Sequence, residues 1–537
     1  MIEDLQSLPD GSILEADICI VGAGPAGVAL ARALSGSGQQ TLLLESGGFT
    51  VESGSQALNI AENLGLPHTG AADGRARAFG GAGRLWAGQC LRFDAIDFER
   101  RPWVPLSGWP ISLQDLAPFY LAAERFFRVQ NQPTDASAYG LFNQTSPAWS
   151  PDSIESMFTV FTPEVDVGEF HHGALKQAAD VKVVLHANLV HIDTEGSKVT
   201  GLSLQTLDGR KAEARARAYV LCGGGIENPR LLLASNKQRE SGLGNTHDLV
   251  GRYFQEHPQG LTATLEGGDP AQLQRQFRML HGSFKFFPKF RISPAAQRAH
   301  EVLNANAHLR FRGAAEDGIV AARSLINSAR RRRIPAEIPQ QLLAMLRGSK
   351  EIAHLWLSRI NRRINAPPPR EIRLQCYLEQ SPNPESRIRL GREVDPLGVR
   401  RAAVEWRMAE IERRTAQVMT DLVAKEFARL GLGNIRPDDW LSEPGDAWKN
   451  RLVDCYHHAG TTRMAGHPSQ GVVNASLQVF DVENLYVCGG SVFPTSGYAN
   501  PTLTIVALAF RLADHLSKKL SRPSEIPRSL TKIGILP

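Results

Sequence analysis

Short, wholly apolar runs that end at glycine or an acid recur at both ends of this chain. Ile18–Val21 runs into Gly22, Leu42–Leu44 into Glu45, Ala218–Cys222 into three glycines, and Leu485–Val487 into a glycine pair. Runs of this length without polar alternation predict strands buried on both faces of a parallel sheet. Other stretches carry helical spacing. Ala26, Ala29, Ala31 and Ala33 follow the first glycine turn; Leu116, Phe119, Tyr120 and Ala123 follow Ser112, a predicted N-cap; and the apolar helix Thr502–His515 follows Asn500 and Pro501, read as N-cap and first helical residue. Ile411–Leu430 predicts an amphipathic helix. From Val181 to Arg217 short strands alternate with turns at Glu195-Gly196-Ser197 and Asp208-Gly209, whereas the polar, glycine-rich residues up to about 78 read as an extended loop.

The first run opens the most informative unit, Asp17–Glu45. Gly22, Gly24 and Gly27 have the spacing that permits a tight turn, close backbone approach to a pyrophosphate, and tight helix-on-strand packing. The helix that follows presents its N-terminal amide groups to the phosphates. Glu45 lies 18 residues after Gly27, at the end of the second strand, where an acid takes a ribose hydroxyl and disfavours a 2′-phosphate. Strand, turn, helix, strand and acid together predict an adenine dinucleotide; FAD and NAD stay open on this unit alone. A second glycine-rich loop, Phe79–Phe93, lets the backbone approach something flat and bulky, with Trp86 as an aromatic wall.

Composition narrows the class. At 537 residues and 42% hydrophobic content, two domains with sizeable cores are expected. A net charge of +5 gives no global support for a nucleic-acid partner. Six scattered cysteines without a C-x-x-C pair argue against a zinc site, a disulfide framework or an iron–sulfur cluster, so no metal is expected. The N-terminus has no charged-then-apolar signal pattern, from which a cytoplasmic location is expected, and no apolar segment reaches the roughly 18 residues needed to cross a bilayer. Residues from about 259 to 449 have fewer glycine turns and strand-like pieces at Gly282–Phe287 and Ala402–Met408, suggesting a second, substrate-facing domain. Within it, the arginine-rich stretch Arg330–Arg363 reads as a solvated helix pair, with peripheral docking to a membrane surface or acidic partner as the sharper alternative.

Six segments in order, GAGPAGVALARAL with Glu45, GGAGRLWAG, GGIENPRLLLAS, GLGNTHDLVGRYFQEHP, HHAGTTRM and SGYANPTLTIVALA, resemble the glucose-methanol-choline (GMC) oxidoreductases. The resemblance implies an α/β fold in which a Rossmann-like FAD-binding domain, built from segments 1–258 and 450–537, carries a substrate domain, 259–449, with an antiparallel sheet; part of 100–180 is expected to cover the flavin or join the substrate side. It implies an FAD site made of Gly22, Gly24, Pro25, Ala26, Gly27, Glu45 and Ser46, of Gly80, Gly81, Gly83 and Trp86, of Val190, and of Gly490, Ser491, Asn500, Pro501 and Thr502. SGWPISLQDLAPFYLAAE and EQSPNPESRIRL look most like the bacterial branch near pyranose oxidases and sugar or polyol dehydrogenases. Pyranose oxidases attach flavin through a histidine before the loop tryptophan; here Leu85 stands there, so non-covalent FAD is expected.

The family motif places a catalytic histidine at His457 and its partner at Asn500. Alcohol oxidation requires a group near neutral pKa to take the hydroxyl proton as hydride leaves the carbon, which histidine does without a metal. If residues 456–459 were extended, only one of His457 and His458 could face the flavin. Asn500 would orient the hydroxyl, and a helix starting beside it would favour negative charge on the flavin ring. The expected function is FAD-dependent oxidation of a sugar, glycoside, polyol or other alcohol, with quinone or dioxygen as electron acceptor. Because the fold also includes hydroxynitrile lyases, a non-redox activity is the alternative.

Overall fold

A computed structural model describes residues 1–313, 338–360 and 369–521, with positions 317–318, 321–322 and 325. Of the arginine-rich stretch, only the helix Ile338–Ile360 falls among these; Arg330–Arg333, Arg362 and Arg363 lie outside the described residues.

The first sheet has a parallel core in the order Ile2–Asp4, Val181–Leu185, Thr41–Leu44, Ser12–Val21 and Lys211–Leu221. Along its free edge, Lys211–Leu221 is shared: its start pairs antiparallel with Lys198–Gln205, and its end pairs parallel with Leu485–Val487. Strand Ser12–Val21 is longer than its apolar run Ile18–Val21 because Lys211–Leu221 pairs with it from Ser12 to Val21, recruiting polar residues that the pattern alone excludes. In register, Val21 lies opposite Leu44 on one side and Leu221 on the other, and Leu221 opposite Val487. The turns after these strands therefore converge at one edge of the sheet, the carboxyl end where ligands bind in such folds.

Helix Pro25–Leu34 packs on helix Thr502–Leu520, which in turn packs on Leu113–Phe126. Ser112 caps the last of these with a capping box, its Oγ accepting from the Asp115 N–H. The loop expected up to residue 78 contains two short helices, Ser53–Ala57 and Gly70–Asp73, and the strand Glu62–Asn63, which pairs with Arg400–Glu405.

The second sheet is antiparallel throughout, in the order Asn434–Pro437, Gln259–Glu266, Glu371–Leu378, Ala305–Arg312, Lys285–Ile292, Ile154–Phe161 and Gln89–Cys90, with Leu280–His281 also on Lys285–Ile292. Two of these strands come from far upstream of residue 259, and within 100–180 the strand Ile154–Phe161 joins this sheet while helix Leu113–Phe126 packs on Thr502–Leu520. Period-two alternation gives this sheet two characters. Leu374, Cys376, Leu378 and Phe290 join the core formed with helix Glu410–Arg429 through Met419, Val423 and Phe427. Gln259, Tyr377 and Lys289 belong to the opposite face, over the glycine turns. Among the described residues no helix is long and apolar enough to cross a membrane.

Candidate active site

A cavity of about 840 Å³ runs from Glu45 to the polar face of the second sheet, lined along the way by the glycine turns, His457 and Asn500. The first turn has the contacts its spacing predicts. Gly22 has φ +101°, and a Cβ there would stand 2.9 Å from the Cys222 carbonyl oxygen; a Cβ on Gly27 would be 1.9 Å from the Gly22 oxygen. Gly24 meets nothing nearer than 4.0 Å and leaves its side open to a ligand. Glu45 is buried, and its carboxylate accepts from the Ala23 N–H at 2.9 Å and the Gly47 N–H at 3.1 Å. Burial raises its pKa, and these two N–H groups oppose the rise. Glycine cradle, helix N-terminus and buried acid fit an adenine dinucleotide, and the cavity continues past them with room for a second ring system.

Of the expected cofactor contacts, Gly22, Gly24, Pro25, Ala26, Glu45, Ser46, Gly83, Trp86, Gly490, Asn500, Pro501 and Thr502 line this cavity. Five stand outside its lining. Gly27 seats helix on strand, and Gly80 ties the second loop to the first by donating to the Ala23 carbonyl at 2.8 Å. Gly81 packs against Gly24, and Ser491 accepts from Asn228 Nδ2 at 3.0 Å. Val190 is off the wall that Ala187 and Leu189 form. Trp86 is fixed by its indole N–H donating to the Val165 carbonyl at 2.7 Å.

His457 sits in a chain segment clamped on two sides. Residues 453–459 pair antiparallel with 255–259 through Gln259–Val453 and Gln255–Ala459, while Gly460 and Thr462 donate to Gly490 and Ser491. Gly225 makes the close approach possible: a Cβ there would be 2.5 Å from the His458 oxygen. The segment is not extended as supposed above. Tyr456 takes a left-handed conformation, φ 66°, which breaks the alternation, and both His457 and His458 contribute to the cavity lining.

A fixed chain of donors and acceptors sets the state of His457. The His257 ring lies 2.8 Å from it, Nδ1 to Nδ1, and places its own Nε2 3.1 Å from the Ser496 carbonyl oxygen. A carbonyl only accepts, so His257 Nε2 carries a proton. Burial first of all lowers the pKa of His257, so the ring is neutral and its Nδ1 is bare. The His457 Nδ1–H must then donate to it. Burial, and next the neighbouring His257 and Lys289, hold the His457 pKa well below the usual range, so its Nε2 is an unprotonated acceptor.

Glu256, next in sequence, organises the same segment. One carboxylate oxygen accepts from the backbone N–H groups of His457 at 3.0 Å, His257 at 3.2 Å and Cys455 at 3.3 Å; the other lies 3.1 Å from His68 Nε2. His68, Glu256 and His458 bring potential metal ligands within 4.8 Å of one another. The Ala71 N–H, however, donates to His68 Nδ1 at 3.0 Å, which leaves the His68 proton on Nε2, pointing at Glu256. A metal there would force that proton onto Nδ1, against another donor. His68 and Glu256 form a hydrogen-bonded anchor, with His458 Nε2 3.4 Å from the same Glu256 oxygen.

Asn500 is not the side-chain cap expected of it. The helix begins one residue later, with Pro501 at the cap, the Pro501 carbonyl accepting from Ile505 and no side-chain capping bond. The Asn500 amide is left facing the cavity.

The pattern reading missed His257, Glu256, Gln89, Lys289 and Tyr377. Gln255-Glu256-His257-Pro258, a polar run directly before a strand, was the available signal for two of them. Lys285, Lys289 and Arg291 alternating with apolar residues was the signal for a polar sheet face.

This two-domain arrangement, with a dinucleotide cradle leading to a histidine beneath an antiparallel sheet, defines an FAD-dependent oxidoreductase. Comparison with known proteins agrees: the FAD dependent oxidoreductase family matches residues 17–240 and the GMC oxidoreductase family residues 382–509. The chain thus carries an FAD-dependent oxidoreductase domain and a GMC oxidoreductase C-terminal domain, binds FAD, and is an FAD-dependent alcohol oxidoreductase. It is 24% identical to 2-methyl-1,2-propanediol dehydrogenase of Mycolicibacterium austroafricanum, over 94% of this chain and 96% of that one. It is 23% identical to 6'''-hydroxyparomomycin C oxidase of Streptomyces lividus, over 93% of this chain and 92% of that one. Pyridoxine 4-oxidase from Mesorbium loti shares the fold, with a TM-score of 0.53 at 17% identity, over 93% of this chain and 98% of that one.

Proposed function

We propose that this enzyme oxidises a secondary or primary carbinol of a sugar, glycoside or polyol, with His457 as general base and Asn500 orienting the hydroxyl. FAD, when bound, supplies the acceptor for the hydrogen and two electrons that leave the carbon. The chain's own residues handle the proton. Substrate hydroxyl donates to His457 Nε2, and the proton moves there as the C–H bond breaks, giving an imidazolium whose Nδ1–H still points at His257. The Asn500 amide, without a hydrogen-bond partner among the described residues, lies in the same cavity to hold the alcohol oxygen. The observation that carries this reading is the relay from the Ser496 carbonyl through His257 to His457 Nδ1, because it leaves Nε2 bare in a site that would otherwise sample both tautomers.

Electrons leave from the flavin, since no cysteine cluster or haem motif offers a second redox centre in this chain. A quinone re-oxidising it faster than dioxygen is expected. Anaerobic reduction by substrate, followed by separate mixing with benzoquinone and with air-saturated buffer, tests this; equal rates with stoichiometric peroxide make the enzyme an oxidase. For the base, His457→Ala is expected to keep FAD and slow anaerobic flavin bleaching by about 10²–10⁴. A mild His457→Ala beside a crippling His458→Ala moves the assignment to His458.

A further inference from the structure

Lys289 is a buried ammonium, only 5% exposed, and among the described residues no carboxylate pairs with it. Buried Arg101, by contrast, is held by both oxygens of Glu379. An unpaired buried charge is expensive. What Lys289 has instead is the Gln89 Oε1 at 3.2 Å and the rings of Phe287 and Tyr377, whose centroids are 5.4 and 5.5 Å from its Nζ.

Two of these neighbours, Gln89 and Tyr377, line the cavity, with Lys289 directly behind Gln89. Gln89 Oε1 accepts from Lys289 and also from Thr159 Oγ1 at 3.0 Å, so its oxygen is engaged from behind and its Nε2 hydrogens are left for the cavity it lines. The Tyr377 hydroxyl, at 3.4 Å, accepts from Gln375 Nε2, leaving its own O–H to donate. The wall thus offers N–H and O–H donors backed by positive charge, and that charge is felt at His457.

We propose that the alcohol oxidised here also bears an anionic oxygen group, a carboxylate or phosphate, as in a sugar acid or sugar phosphate, bound on the Gln89–Tyr377 wall with Lys289 as its counter-ion. This rests on the alcohol-oxidation reading above and names the substrate class for the same cavity. An anion supplies the missing partner for the ammonium, whereas a cationic amine would be repelled.

The charge is titratable in a useful range. Burial lowers the Lys289 pKa to about 8. Around it, Cys455 is held protonated by burial, as is the Tyr377 hydroxyl; His308 is pushed down to about 3 by burial, Lys289 and Arg310; and His457 stays neutral. Between about pH 6 and pH 10, Lys289 is therefore the group in this wall that changes charge.

Dissociation constants of gluconate, inorganic phosphate and sorbitol for the oxidised holoenzyme, read from perturbation of flavin absorbance, test the proposal. At about pH 6, gluconate or phosphate is expected to bind at least about tenfold more tightly than sorbitol. That advantage is expected to vanish in Lys289→Met and at about pH 10, and to persist in Lys289→Arg. Gluconate without phosphate identifies a carboxylate, phosphate without gluconate a phosphoryl group. Anions binding no better than sorbitol, or keeping their advantage in Lys289→Met, overturn the proposal. Anaerobic bleaching separates the two readings: if no alcohol bleaches the flavin, the alcohol chemistry fails, while the binding constants still decide the role of Lys289.

Discussion

His257 touches neither flavin nor substrate in the reaction proposed here, yet replacing it should change both the rate and its pH dependence. In His257→Ala the His457 Nδ1–H loses its acceptor at 2.8 Å, and nothing then favours the tautomer with a bare Nε2. Leaving a buried donor unsatisfied costs roughly 1–3 kcal/mol, which converts to a loss of about fivefold to about 150-fold in the reductive half-reaction. That is smaller than the loss expected for His457→Ala, because the base itself remains. The pH profile supplies a readout that a merely structural role would not move. Burial is the largest cause holding the His457 pKa down, and His257 is the next. Removing His257 lets that pKa rise, so His457 protonates at higher pH and the acid limb of the rate profile shifts upward; in the wild type that limb should lie below about pH 6. His257→Gln provides the rescue, since its amide can donate to the Ser496 carbonyl and accept from His457. Stopped-flow bleaching under anaerobic conditions across pH measures all three. If His257→Ala falls within about twofold of wild type, or His257→Gln is as slow as His257→Ala with an unshifted limb, the relay does not set the state of the base.

Acid precipitation of the holoenzyme should leave the yellow flavin in the supernatant, because Leu85 occupies the place of a linking histidine; flavin in the pellet would require another attachment residue. Glu256→Gln replaces an oxygen that accepts from several backbone N–H groups or one that accepts from His68, so one set loses its partner. Thermal unfolding of the holoenzyme should show a destabilisation of roughly 1–3 kcal/mol, and an unchanged Tm would contradict the anchoring role. Gly225→Ala brings a Cβ 2.5 Å from the His458 oxygen and must push the His457 segment away. Flavin bleaching about a hundredfold slower with FAD retained is expected, and wild-type kinetics would mean that the backbone position tolerates the shift.

Elements whose signal is local were legible in the chain as written. The first glycine turn is an example, because the conformations of Gly22 and Gly27 are demanded by atoms within the same βαβ unit or on its neighbouring strand. The helix from Thr502, the strand Leu485–Val487 and the capping box at Ser112 follow from apolar period and cap chemistry in the same way. For the proposed catalytic pair the chain as written offered only His457 and Asn500, and those through the resemblance of their motifs. What tertiary structure decided was the company they keep. His257 reaches His457 across 200 positions of sequence, Lys289 reaches Gln89 across another 200, and Glu256 serves a loop about as far away. No period or spacing encodes such pairs, because each is made only when the tertiary fold brings distant segments side by side, and within the sheet a one-residue slip would send every side chain to the other face. Tyr456 shows the limit from the other side: an ordinary residue held left-handed by the packing of its segment turns two neighbouring histidines into one cavity, against the alternation that the sequence by itself implies.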